Sequence, residues 1–87
     1  MNVDHLAEIE RVPLAIDYRR LYRADALVQI GDHVANAVKI EFSLEMSPYG
    51  GQQVSVRFLD KPEYPLIPAI RALKDHIKAL DKDGTLP

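Results

Sequence analysis

From Val38 to Met46 the chain alternates without a break. Val38, Ile40, Phe42, Leu44 and Met46 fall on one side, and Lys39, Glu41, Ser43 and Glu45 on the other. A period of two residues is that of a strand with one buried and one wet face. Gln53 to Phe58 repeats the pattern, with Val54, Val56 and Phe58 opposed to Ser55 and Arg57. Between the two runs lies Ser47-Pro48-Tyr49-Gly50-Gly51, whose glycines supply the positive φ angles of a reversal, so the runs are predicted to form an antiparallel hairpin. Ala24 to Ile30 reads as a third strand, joined through the turn Gly31-Asp32-His33 to Val34 and the long strand after it.

The end of the chain changes period. Leu66, Ile70, Leu73, Ile77 and Leu80 recur at helical spacing, with Arg71, Lys74, Asp75, Lys78 and Asp81 on the other side. Pro68 suits a first helical turn, and Gly84 suits the left-handed residue that ends a helix. An isolated helix of this length is marginal in water, so its stripe must lie on the sheet. The predicted fold is α+β: a three- to four-stranded antiparallel meander with a C-terminal amphipathic helix on one face. Lys61 to Pro68 carries three prolines in eight residues and reads as a rigid crossover that returns the helix over the sheet. Within it, Tyr64 serves either to cap the core or to bind a partner, and its bond to Pro65 is open to either isomer.

The first third is ambiguous. Val12 to Tyr18 alternates as a strand with Leu14, Ile16 and Tyr18 inward, yet Leu14, Tyr18, Leu21 and Tyr22 also fit a helix. A fourth strand to about Tyr18 is favoured, because Ile16 falls off the helical stripe and Pro13 suits an edge. Met1 to Glu10 fits a frayed arm, a short helical turn or another edge strand.

Length and composition then narrow the class. Eighty-seven residues allow one small domain, and 47% hydrophobic with 28% charged residues is too apolar for disorder. The absence of cysteine excludes disulfides and thiolate metal sites and suits a reducing compartment. The acidic N-terminal stretch lacks the basic start and apolar run of a secretory signal, and no segment is apolar enough to span a membrane. A cytoplasmic location is expected. A formal net charge of −2 provides no general attraction for DNA.

The one dense chemical cluster is Tyr18-Arg19-Arg20-Leu21-Tyr22-Arg23. Guanidiniums grip phosphates with two parallel hydrogen bonds, and tyrosines stack on bases, so an anionic or nucleotide ligand would bind here. In the purely structural alternative, the tyrosines pack on the sheet margin and the arginines pair with acids such as Asp17 and Asp25. Arg19 and Arg23 form an R-x-x-x-R spacing, and Glu45-Met46-Ser47-Pro48-Tyr49-Gly50 lies at the end of a later strand. In these two segments the chain resembles PilZ domains, which carry R-x-x-x-R and D/N-x-S-x-x-G and bind the cyclic dinucleotide c-di-GMP. The resemblance implies phosphate and guanine contacts from Arg19 and Arg23, support from Ser47 and Gly50, and a six-stranded barrel. Glu45 departs from the family's Asp or Asn. The 37 residues after Gly50, many of them helical, are few for the rest of such a barrel. The candidate ligand-binding set is therefore Tyr18, Arg19, Arg20, Tyr22 and Arg23, with Ser47 added by the resemblance.

Catalytic signals are sparse. His5, His33 and His76 each follow an aspartate, but neighbours on a strand or helix point apart, so the dipeptides are not expected to pair. Glu41 and Glu45 share a strand face with Lys39, as in an ordinary charged ladder. No metal spacing, nucleophile elbow or phosphate loop is present, and no cofactor is implied. The favoured expectation is a non-enzymatic interaction or assembly module whose partner is another protein or a second copy, paired as a homodimer through an edge strand or the exposed sheet face. The alternative is an anionic-ligand binder at the arginine cluster.

Overall fold

In the computed structural model, which describes residues 1–87, the elements run β1 (Asn2–Val12), β2 (Arg19–Ile30), β3 (His33–Val34), β4 (Val38–Met46), β5 (Gln52–Phe58) and α1 (Leu66–Lys82). The sheet is antiparallel in the order β1-β2-β4-β5, with the two-residue β3 paired to the end of β2. The predicted α+β layout is present, including the hairpin, the strand over Ala24 to Ile30 and the helix on one face. The sheet is open, with β1 and β5 as edges, and not the closed barrel that the PilZ resemblance implies.

Two expectations about the first third of the chain are overturned. Val12 to Tyr18 is not a strand: only Val12 belongs to one, and residues 13–18 form the reversal between β1 and β2. Leu14, Ile16 and Tyr18, expected inward, are all exposed. The fourth strand is the N-terminal arm, which takes the edge-strand form.

The cause is a pair of β-bulges in β1. Its register with β2 slips once between Val3 and His5 and again between Ala7 and Glu10. Each slip inserts one unpaired residue and reverses the facing of the residues after it. Val3, Leu6 and Ile9 therefore all reach the core although they are spaced by three, a period that belongs to neither a regular strand nor a helix. Glu8 in the second bulge has φ 52°, the only positive value outside glycine.

The core is one layer between the inner sheet face and α1. Tyr22, Ala24, Ala26, Ile40, Phe42, Leu44 and Val54 form a single buried cluster with Leu73 and Ile77. Tyr22 and Phe42, directly opposed on β2 and β4, stack with centroids 5.0 Å apart. The alanines at 24 and 26 leave room for the helix to approach the sheet. The buried helical stripe is Ala69, Leu73 and Ile77, while Leu66, expected at its head, is half exposed. Asp81, expected on the wet side, is instead partly covered and paired with Arg20 at 2.8 Å.

Both ends of the layer are closed by irregular chain. At the β2 terminus, Tyr64 joins Val28, Ala35 and Ala69 and meets Phe58 edge to face at 6.1 Å. Tyr64 therefore caps the core, and every peptide bond, including its bond to Pro65, is trans. At the other end α1 stops in a left-handed Gly84 (φ 72°), with Gly84 N–H donating to the Asp81 carbonyl and Thr85 N–H to the Leu80 carbonyl. The chain then folds back so that Leu86 packs on the core and the Pro87 carbonyl accepts the Tyr22 hydroxyl at 2.9 Å.

Substitutions at two positions test this packing. Glu8→Gly is expected to stabilise the fold by about 0.5 to 1 kcal/mol, the left-handed strain released less the extra freedom of glycine in the unfolded chain, whereas Glu8→Val destabilises it. Urea melts that reverse this order would show that the bulge is absent. The Tyr64 hydroxyl is buried without a hydrogen-bond partner, and burial raises its pKa. Tyr64→Phe is expected to be neutral or stabilising by about 1 kcal/mol in the same assay, and a loss of that size would reveal a missed partner.

Candidate functional site

The outer face of the sheet carries no helix, and its side chains stand in cross-strand rows. One row runs Glu10, Arg23, Glu41, Arg57, alternating in sign from β1 to β5. Glu41 is held between two guanidiniums: Arg23 Nε donates to Oε2 at 3.1 Å and Arg57 Nη2 to Oε1 at 2.9 Å. A neighbouring row carries the Asp25–Lys39 pair at 3.3 Å, and on the other side Arg19 stands opposite Glu45 and Glu45 opposite Gln53. Between them run Leu21, Ser43 and Ser55, and the two short serines leave a shallow depression of about 310 Å³ flanked by Arg19, Glu41 and Arg57. Arg19 Nη2 donates to Ser43 Oγ at 3.4 Å and has no carboxylate partner.

The arginine and tyrosine cluster is divided between the two faces of the sheet. Because β2 alternates, Arg19 and Arg23 face outward while Arg20 and Tyr22 face the core. Arg20 bonds Asp81 and lies 3.4 Å from the Tyr22 hydroxyl; the hydrogen bond to Asp81 raises its pKa against the opposing effect of burial. Tyr22 is fully buried. Neither expected acid, Asp17 or Asp25, pairs with these arginines; Asp81 and Glu41 do. Tyr18 is exposed at the β1–β2 reversal, where its carbonyl accepts Met46 N–H at 3.1 Å. Ser47 sits in the β4–β5 turn, its Oγ accepting Tyr49 N–H at 3.2 Å. Arg57, Ser43 and Ser55 were absent from the candidate set, although the two alternating runs and the turn between them place all three outward.

Two of the three Asp–His neighbours approach each other against expectation, His33 Nδ1 lying 3.9 Å from Asp32 Oδ1 at the exposed turn. His5 and Asp4 do contact, at 2.6 Å, because the bulge between Val3 and His5 breaks the alternation that separates neighbours. No three of the His, Asp and Glu side chains converge as metal ligands would. His76 lies between α1 and β1 beside Val3, Ala72 and Asp75. Burial and, secondarily, the nearby His5 push its pKa below 6.5.

The two sheet edges are unlike. β1 carries two bulges, and acidic Asp4, Glu8 and Glu10 lie along it, both common ways of discouraging edge pairing. β5 is regular over its whole length. Leu59 N–H donates to the Lys39 carbonyl and Ser47 N–H to the Gly51 carbonyl, which sets the parity of this hairpin. Gln53, Ser55 and Arg57 bond to β4, so the amides and carbonyls of Gln52, Val54, Val56 and Phe58 point to the open side.

These features define a small sheet-and-helix domain with a charged outer face and one unguarded edge. The model of the BB-0187 family matches residues 1–82, and the chain belongs to that family. No curated protein and no solved structure matches it. No helix is long and apolar enough to cross a membrane.

The His76 environment sets a pH dependence. The folded state favours the neutral ring, while the unfolded chain takes a proton near pH 6.5. Stability therefore falls as pH drops below about 6.5 toward the lower folded-state pKa, and is flat with respect to this group above it. Urea unfolding at about pH 7.5 and 5.5 is expected to show that loss, and His76→Gln to remove its own share. An unchanged slope in the variant would assign the effect elsewhere.

Proposed function

We propose that this protein is a non-enzymatic assembly module that recruits another chain by adding a strand to β5. The observation that supports this reading most is the contrast between the edges: β1 is bulged and lined with acids, and β5 presents a straight row of unpaired backbone groups. Main-chain bonds to such an edge supply affinity and the flanking side chains supply selectivity. With no cysteine to form the disulfides that commonly staple small secreted domains, the cytoplasm is the compartment this reading assumes.

A second reading, anionic-ligand binding, moves from the arginine and tyrosine cluster to the outer face. It draws on the serine-floored depression and on the unpaired guanidinium of Arg19. Of the candidates in that cluster, Arg19 lines the depression and Arg23 stands on the same face bound to Glu41, whereas Arg20 and Tyr22 lie on the opposite face, engaged with Asp81 and Pro87.

Amide hydrogen exchange tests the edge reading. In dilute protein, Val54 and Val56 are expected to exchange rapidly while Ser55 and Arg57, bonded to β4, are protected. Adding an excess of a peptide copying Gln52–Phe58 slows exchange at Val54 and Val56 severalfold and leaves β1 unchanged. Val56→Pro, which removes one edge-facing amide, abolishes the response. Protection of Val54 and Val56 in the dilute chain, or no response to the peptide, would refute strand addition.

A further inference from the structure

We infer that the chain taken up by β5 is a second copy of the same protein, paired antiparallel about a two-fold axis at Ser55; this rests on the strand-addition reading above. Three features support it. The first is register. Ser55 is the midpoint of Gln52–Phe58, so an axis there pairs Val54 with the second copy's Val56, and Gln52 with its Phe58, and uses every edge-facing group of the strand. An axis moved to either neighbouring residue leaves backbone groups at one strand end unpaired.

The second is charge. With the axis at Ser55, Arg57 stands opposite the second copy's Gln53, with Glu41 behind it on its own sheet and Glu45 behind Gln53 on the other. The outer row then reads Arg23, Glu41, Arg57, Gln53, Glu45, Arg19 across the junction, and no like charges adjoin. An axis at Arg57 would set arginine against arginine, which is destabilising in directly opposed pairs. An axis at Gln53 would leave all four residues from Ser55 to Phe58 beyond the end of the paired segment.

The third is the helix. One flank of α1, at Ala72, Asp75 and His76, faces Asn2 and Val3 of β1. The opposite flank, on the β5 side, carries Ile67, Ile70, Arg71 and Lys74 around a shallow hollow, and Ile67 is 74% exposed. The axis turns the β5-side flanks of the two copies toward each other above the extended sheet, so that Ile67 and Ile70 of each can meet while Arg71 and Lys74 keep their charges in water.

The natural chain has no cysteine, so single-cysteine variants report directly on the axis. Opposed residues that do not exchange backbone bonds have Cα atoms about 4.5 Å apart, within the span of a disulfide. Under mild oxidation of the purified full chain, Ser55→Cys is expected to become a covalent dimer. Gln53→Cys and Arg57→Cys remain uncoupled alone but cross-link to each other when mixed. Sedimentation from micromolar to millimolar concentration shows a monomer–dimer equilibrium, weakened about tenfold or more by Ser55→Lys, which sets two ammonium groups on the axis. A chain that stays monomeric throughout, a dimer unaffected by Ser55→Lys, or equal cross-linking of Ser55→Cys and Gln53→Cys overturns the self-pairing. If these fail while the peptide still protects Val54 and Val56, the edge accepts strands but not this partner. If the peptide fails too, the edge reading falls with it.

Discussion

One helix has to seal one sheet face, and it is too short to do so unaided. Seventeen helical residues span about 25 Å, whereas the twelve residues of β2 reach about 40 Å. A stripe of Ala69, Leu73 and Ile77 therefore cannot cover the face alone. The Tyr64 segment closes one end, and the returning residues Leu86 and Pro87 close the other. Each large side chain so buried contributes about 1.5 to 3 kcal/mol, most of it offset by chain entropy. A domain this small has little margin, which makes these closures part of the core and not trimming.

The same constraint explains the asymmetry of the edges. Both β1 and β5 contact the helix, but only β1 must be bent to do so. Its bulges turn Val3, Leu6 and Ile9 to one side, at the expense of a left-handed Glu8, and they also spoil β1 as a template for another chain. β5 meets the helix with its alternation intact, so its outer backbone groups stay aligned. Covering the core thus leaves one edge bulged and the other regular, and the charged outer face continues up to the regular edge.

The arginine cluster shows what composition leaves open when the frame of alternation is unknown. Five of its six residues, Arg19 to Arg23, are divided by β2 between two opposite faces, and Tyr18 lies in the reversal before it. Arg20 and Tyr22 serve the core through Asp81 and Pro87, while Arg19 and Arg23 serve the outer ladder. Ser43, Ser55 and Arg57 carried no compositional signal, yet the alternation of β4 and β5 already placed them outward. They became neighbours of Arg19 only through strand pairing.

Local periodicity in the chain was enough to specify the β4–β5 hairpin, the later part of β2, the helix and the turn glycines. Those elements bury alternate or helically spaced residues, so the pattern and the geometry agree. The strand β1 was legible only in three dimensions, because its bulges convert a spacing of three into a single buried face and no local rule anticipates that. The same holds for which arginine meets which acid, for the contact of Asp4 with His5, and for which edge remains free. These depend on register between distant segments, and register is set only when the helix and sheet close on each other.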